Sequence, residues 1–387
     1  MNKKKKNAFR KLVGKAHLIL GLTTGLVVFI VAITGCLWVF QEEIKSLANN
    51  VPTIEVQSAP IVTPTEAKKI AQEIFPDNYV HGVLYGDADE AVEVIFFQKK
   101  PEEFYRSVYI EPYTKEVLYS ENHEAGFFHF ILDGHMHLWL PEDIGTEVVR
   151  WSTAIFLIML ISGIILWWPK KRKNSKQRFQ FVWKKSTAWK RKNYDLHAIL
   201  GFYVSIIGLL FALTGMVMAF DTVEDAIYKS VGGEKTVKFK VPDNVSDQRI
   251  AENPSDLPID CLIPILKERH PDAELMEVHF PHTDSSSIYV EMTYERGVYY
   301  SSDYRFYDQY TLEEIETPSI YGKYAEAAFA DKVIRMNYDT HVGAILGLPG
   351  KIILFLASLI VASLPLSGFL IWWGRKKKGK KKQRVNS

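Results

Sequence analysis

Four stretches of this chain are too long and too apolar for an ordinary soluble fold: 16–40, 148–168, 196–220 and 352–373. Each holds 21 to 25 residues with almost no charge. At about 1.5 Å per residue each exceeds roughly 30 Å, the thickness of a hydrocarbon core. The sequence therefore predicts four transmembrane helices. They divide the 387 residues into three short segments, 1–15, 169–195 and 374–387, and two long ones, 41–147 and 221–351.

Charge separates these segments sharply. The net charge is only +2, yet the three short segments carry 26 of the 47 Lys and Arg residues and a single acid, Asp195. Short Lys/Arg-rich loops stay in the cytoplasm, so both termini and the middle loop are expected inside and the two acidic segments outside. Four helices starting from an inside N-terminus give the same answer. The runs KKKK and GRKKKGKKKQR then read as anchors on anionic lipid, not as nucleic-acid patches. Paired Trp in WWPKKRK (167–173) and WWGRKKK (372–378) fits an aromatic belt at the inner interface. The two cysteines, Cys36 and Cys261, imply no disulfide framework. The stretch ITGC ending at Cys36 resembles a lipoprotein processing site, but its apolar run is longer than the roughly 7–15 residues of a secretory h-region.

The chain also reads as a tandem parallel duplication. Aligned at His17 and His197, the first and third spans share Ile-Leu-Gly, Thr-Gly (34–35 and 214–215) and a closing Phe without gaps, and Cys36 falls opposite Met216. The second and fourth share Ser-Gly-x-x-x-Trp-Trp, at 162–168 and 367–373. Asp133-Gly134-His135 aligns with Asp339-Thr340-His341 ahead of them. In each long segment a helical pattern (65–76; 258–270) precedes strands of period two. Tyr113-Thr114 and Tyr310-Thr311 mark one turn in both. The expected architecture is a four-helix membrane bundle with two small α+β extracytoplasmic domains, 41–147 and 221–351.

Four of the eleven histidines fall in matched slots: His17 with His197 on the inner face, and His135 with His341 on the outer. The pentads NYDLH (193–197) and NYDTH (337–341) thus lie on opposite faces, their Asn and Asp being candidate N-cap residues. Two imidazoles on facing helices at one depth suit a b-type haem, whose iron takes one nitrogen from each side. The duplication supplies two such pairs, hence two haems per chain. His137, beside His135, is an alternative outer ligand. Gly21, Gly25, Gly201 and Gly208 would let a flat ring approach the backbone. His81, His123, His129, His270, His279 and His282 have no repeat partner and read as surface or packing residues. Straight helices would set the two sites about 35 Å or more apart, unless the chain breaks at Pro141, Gly145, Pro349 and Gly350.

At these residues the chain resembles the PepSY-associated transmembrane protein family. The resemblance rests on His17-x-Ile-Leu-Gly…Thr-Gly, SGIILWWP at 162–169, NYDLH at 193–197 and the segment YIEPYTKEVL, and spans nearly the whole sequence. It implies PepSY-like outer domains and, by similarity to characterised relatives, a bacterial inner-membrane reductase that passes electrons through two haems to ferric siderophores. His-Met-His at 135–137 departs from the pattern, in which one His is often followed by Arg.

The leading expectation is therefore a di-haem oxidoreductase: His17 and His197 hold the inner haem, His135 or His137 with His341 the outer, and a ferric chelate outside accepts the electron. The glycine-free loop 169–195 has no dinucleotide fingerprint and the chain no CxxC, so the donor is expected to be a quinol or a separate reductase. Tyr299, Tyr300, Tyr304 and Tyr307 are candidates for the acceptor surface, or simply packed strand residues. A second reading makes the chain a non-catalytic anchor whose outer domains bind peptides or restrain a protease. A third, a metal permease, suffers from the lack of any Asp or Glu in the four spans.

Overall fold

A computed structural model describes residues 3–48, 54–99, 103–169, 176–246 and 258–385. Lys170 to Lys173 of the basic loop lie outside these described residues. The chain forms two compact units. One comprises Met1–Gln41, Phe130–Glu224 and Thr340–Ser387, the other Glu42–His129 and Asp225–Asp339.

The first unit is a helical bundle. Its long helices are α1 (Lys3–Trp38), α5 (Glu142–Trp167), α7 (Trp189–Ala219) and α11 (Gly347–Val385). All four are long and apolar enough to cross a membrane. They outrun the predicted spans because hydropathy marks the bilayer and not the helix ends: Lys, Arg and Glu continue a helix readily. Each packs on two neighbours, α1 and α7 both lying against α5 and α11, so α1 and α7 stand on one diagonal of a square. Small residues (Ala32, Ala357, Ala362) and Val204 and Val361 fill the centre, letting backbones come close where lipid removes the hydrophobic drive. The outward side chains are apolar, Leu26 and Ile206 being 70% and 77% exposed, as lipid contact requires. The open carbonyls at the C-terminus of α5 are capped by guanidinium groups: Arg10 donates to Leu166 and Trp168, and Arg178 to Trp167, cations at the negative end of the helix dipole.

Two helices do break, but of the four residues expected at the breaks only Pro141, which precedes α5, stands at one: Gly145 lies inside α5, and Pro349 and Gly350 lie inside α11. The short helix α4 (Phe127–Met136) ends in a turn with Leu138 and Trp139 at φ 58° and 57°. Trp139 stacks on Phe130 at 4.9 Å and lies over Gly134, where a side chain would collide with it. Helix α10 (Phe329–Val342) stops at Gly343, φ 83°, and α11 starts at Gly347, φ 60°, conformations that glycine adopts without strain.

The second unit is built on one eight-stranded antiparallel sheet. Its strands are β1 (Val80–Tyr85), β2 (Val92–Gln98), β3 (Phe104–Ile110), β4 (Val117–Asn122), β5 (Leu275–His279), β6 (Ile288–Thr293), β7 (Asp303–Tyr307) and β8 (Glu314–Ile315), in the order β4-β3-β2-β1-β5-β6-β7-β8. Helices α3 (Pro64–Gln72) and α9 (Pro258–Arg269) share a core with the sheet through Ala67, Ala71, Leu262, Ile263, Leu266, Val83, Val94, Val278 and Val290. A capping box, Thr63 with Glu66, starts α3. The backbone N–H of Thr65 donates to Asp260 at 2.8 Å, tying the two helices together. Helices α2 (Gln41–Ala48), α6 (Lys176–Phe179) and α8 (Asp221–Ser230) complete the α-helices among the described residues, with short 3-10 helices at Tyr324–Glu326 and Ala344–Leu346.

Here the fold departs from the sequence reading. The segments expected as two domains give four strands each to a single sheet, joined by β1 and β5 with Val83 opposite Val278. Each half alone would leave an open strand edge, and pairing the two edges satisfies both. The shared turn is built alike in both halves. Glu111 accepts the N–H groups of Tyr113 and Thr114, Asp308 those of Tyr310 and Thr311, and Lys115 and Leu312 take positive φ at the same place.

Candidate functional site

His17 on α1 and His197 on α7 face each other across the diagonal of the bundle, with ring centroids 6.4 Å apart. The two adjacent helices hold the rings. His17 Nδ1 lies 2.8 Å from the hydroxyl of Ser162 on α5, and His197 Nδ1 2.9 Å from that of Ser367 on α11. Each hydroxyl spends its proton on its own helix: Ser162 donates to Met159 and Ser367 to Ser363 and Leu364. The oxygen can then only accept, so Nδ1 carries the ring proton and Nε2 keeps its lone pair. Asn193 adds a second tie by donating to the Ser367 carbonyl at 3.0 Å.

The other end repeats the arrangement. His135 on α4 and His341 on α10 have centroids 6.4 Å apart. His341 Nδ1 donates to Thr214 on α7 at 2.7 Å, and Thr214 in turn donates to Leu210. His135 Nδ1 lies 2.9 Å from the Val31 carbonyl and 3.3 Å from the Thr34 hydroxyl, both on α1. A carbonyl only accepts, so here too Nδ1 is the donor. The His135 ring lies against Gly35: a Cβ there would sit 2.8 Å from His135 Cε1. Thr34 and Gly35 stand some 17 residues beyond His17 on α1, about 26 Å at helical rise. The helix breaks thus bring this second pair onto the bundle, closer than straight helices allow.

The spacing has chemical content. An imidazole nitrogen sits about 2.0–2.1 Å from a bound metal, and a five-membered ring with bonds near 1.33 Å has a radius of about 1.15 Å. Two imidazoles on opposite sides of one ion would therefore have centroids about 6.3–6.5 Å apart. Both pairs match, with both Nδ1 atoms engaged and the Nε2 lone pairs available.

Each pair opens on an apolar cavity inside the bundle. One, of about 420 Å³, is lined by His17, His197, Gly21, Gly25, Gly201 and Phe369. The other, of about 270 Å³, is lined by His135, His341, Gly35, Gly215, Met218 and Phe211. Cofactor-sized pockets begin near 300 Å³, so the first cavity is within that range and the second falls just short of it. Val28, Phe156 and Val361 line both. The cations lie here too: Arg178 and Arg375 on the first cavity, Arg150 on the second. The buried Arg150 Nε has no protein acceptor among the described residues.

Other expectations fared differently. His137 does not join the pair; its Nδ1 lies 3.1 Å from Asp133 one turn back. Asn193 and Asp195 are not N-caps but lie inside α7, which starts four residues earlier. Asp195 takes a bond from Arg191 at 2.9 Å and one from Trp183 at 3.2 Å. Gly208 packs on Leu160. Tyr304 stacks on Tyr289 and Tyr307 is buried in the sheet core, so packing accounts for these two; Tyr299 is 44% exposed, its hydroxyl donating to Glu42 at 3.2 Å. Cys36 and Cys261 are free thiols.

The sequence reading missed the four hydroxyls. Ser162, Ser367, Thr34 and Thr214 stood in its repeat motifs, but nothing along one helix says which ring a neighbour brings. It also set aside His81 and His279, which the sheet gathers with Glu277. Burial, then His81, pushes His279 down to about 3. Burial, then Glu291 and Glu93, pushes Glu277 up to about 8.

A family model described as the PepSY-associated TM region matches residues 15–375. No curated protein matches the chain.

Proposed function

The chain belongs to the PepSY-associated TM family, and from that premise and the matched histidine pairs we propose that it is a di-haem electron carrier reducing a ferric chelate, such as a ferric siderophore. The observation that supports this most is the 6.4 Å centroid spacing, found twice, with all four Nδ1 atoms held by the bundle. Haem supplies a one-electron ferric/ferrous couple at each position. His17 and His197 would hold one group, His135 and His341 the other. Their hydroxyl partners fix tautomer and ring orientation and raise ligand basicity. The apolar walls exclude water, and Arg178, Arg375 and Arg150 offer partners for carboxylates, Arg150 through a nitrogen otherwise unpaired. Such an enzyme is an oxidoreductase whose donor, a quinol or separate reductase, is not part of the chain.

The charge pattern supports the orientation, both termini inside and the sheet unit outside; the proposed setting is a bacterial cytoplasmic membrane. A tandem duplication accounts for both the mirrored strand order and the repeated turn. The test is reconstitution in liposomes with a quinol donor and external ferric citrate, trapping Fe(II) with a chromogenic chelator. Fe(II) should appear with the wild type and not with His341→Ala. Haem-loaded protein that, once reduced chemically with dithionite and freed of reductant, passes no electron to any ferric chelate would refute the function while leaving haem binding intact.

A further inference from the structure

We propose that the sheet unit carries a separate site for one divalent first-row transition-metal ion, held by His81, Glu277 and His279. Their ligand atoms lie within 4.8 Å of one another. The site sits where the two halves of the sheet join, on β1 and β5. Glu277 and His279 are two residues apart on β5 and so project from one face. His81 reaches them through a bulge: Val80 pairs with Phe96 and Gly82 with Ile95, leaving His81 as the extra residue, and bulges re-aim side chains in this way. The His81 and His279 rings meet edge to face at 4.7 Å.

Three further observations point to a ligand. His279 is 8% exposed, and its Nε2 is buried without a hydrogen-bond partner, 3.4 Å from a Glu277 oxygen. A buried polar atom left unpaired costs about 1–3 kcal/mol unless something binds it. Gly82, opposite His279, lets two of the donors close onto the β1 backbone: a Cβ would lie 2.8 Å from Glu277 Oε1 and 3.2 Å from His279 Nδ1. Register also places Glu93, Leu84, Glu277 and Glu291 in one cross-strand row. Glu277 and Glu291 are direct neighbours, a repulsive arrangement that a cation between or beside them relieves. Two imidazoles and a carboxylate suit zinc or iron(II), and three protein donors leave a coordination position open for an outside ligand. His282 is not a fourth donor through Nδ1, which Tyr79 occupies at 3.0 Å. The site requires no haem and stands or falls apart from the proposed function.

Zinc is the probe. The chelator-stripped full-length protein, in detergent, is dialysed against buffered zinc and its metal content measured by mass spectrometry. The wild type should hold one zinc more than His279→Ala, with Glu277→Gln and His81→Ala weakening binding about tenfold or more. Gly82→Ala, which keeps all three donors, should weaken it as well, and His282→Ala should not. Equal zinc in wild type and the three ligand variants would overturn the proposal, as would a wild type that binds none. Gly82→Ala and His81→Ala carry the test if a buried-ligand variant does not fold.

Discussion

The two histidines of the second pair are held unequally, and this gives a sharp prediction. His341 Nδ1 has Thr214 as its acceptor among the described residues, at 2.7 Å. His135 Nδ1 has the Val31 carbonyl at 2.9 Å in addition to Thr34 at 3.3 Å. Valine replaces threonine with nearly the same shape and no hydroxyl. Thr214→Val therefore strips His341 of its orienting bond, whereas Thr34→Val leaves the shorter bond of His135 in place. Loss of an outer-shell partner typically weakens metal affinity 10- to 100-fold, equivalent to about 1.4–2.7 kcal/mol. Thr214→Val should show a loss of that size for one of two haems, and Thr34→Val less than about threefold. The assay is haem titration into stripped protein, followed in the Soret band, with dissociation rates measured by a haem scavenger. Equal effects of the two variants, or no effect of either, would refute the claim that the Nδ1 bonds orient the ligands.

Further predictions follow from single contacts. Gly35→Ala sets a methyl 2.8 Å from His135 Cε1, whereas Gly163→Ala meets His17 Cε1 at an ordinary 3.5 Å; haem content should fall to one per chain in the former and stay at two in the latter. His137→Ala should retain both haems and His135→Ala lose one, since His135 alone of the two stands opposite His341; pyridine haemochrome assay decides. In the sheet unit, burial by itself would raise the Asp308 pKa, but the Ser246 hydroxyl and the N–H groups of Val245, Ser246, Tyr310 and Thr311 outweigh it and hold the carboxylate below its usual range. Its stabilisation is complete above the unfolded value of about 3.9 and is lost as pH falls through the lower folded value. Asp308→Asn should therefore cost about 1.5–3 kcal/mol at neutral pH, and its Tm gap to wild type should close in acid.

What the sequence revealed depended on how local the signal was. Hydropathy located all four spans because a bilayer imposes length and composition on each helix by itself. The strands and both sheet helices were visible as periods of two and 3.6 for the same reason. Pairing of β1 with β5 was not, since alternation marks a strand's faces and not the neighbour at its edge. The histidines emerged through repetition, yet their anchors did not: His17 and Ser162 are 145 positions apart, His197 and Ser367 170. The His81 bulge was hidden because a one-residue register slip leaves no trace in composition. Leu138 and Trp139 at positive φ were equally unreadable, being residues that seldom adopt that conformation.

The central claim, that the two histidine pairs each hold one haem, is tested most directly by a reduced-minus-oxidised spectrum of the purified protein with pyridine haemochrome quantitation. The account predicts two b-type haems per chain, falling to one in His17→Ala and in His341→Ala. A protein purified from haem-replete cells with no haem, or with two that survive both substitutions, would contradict it.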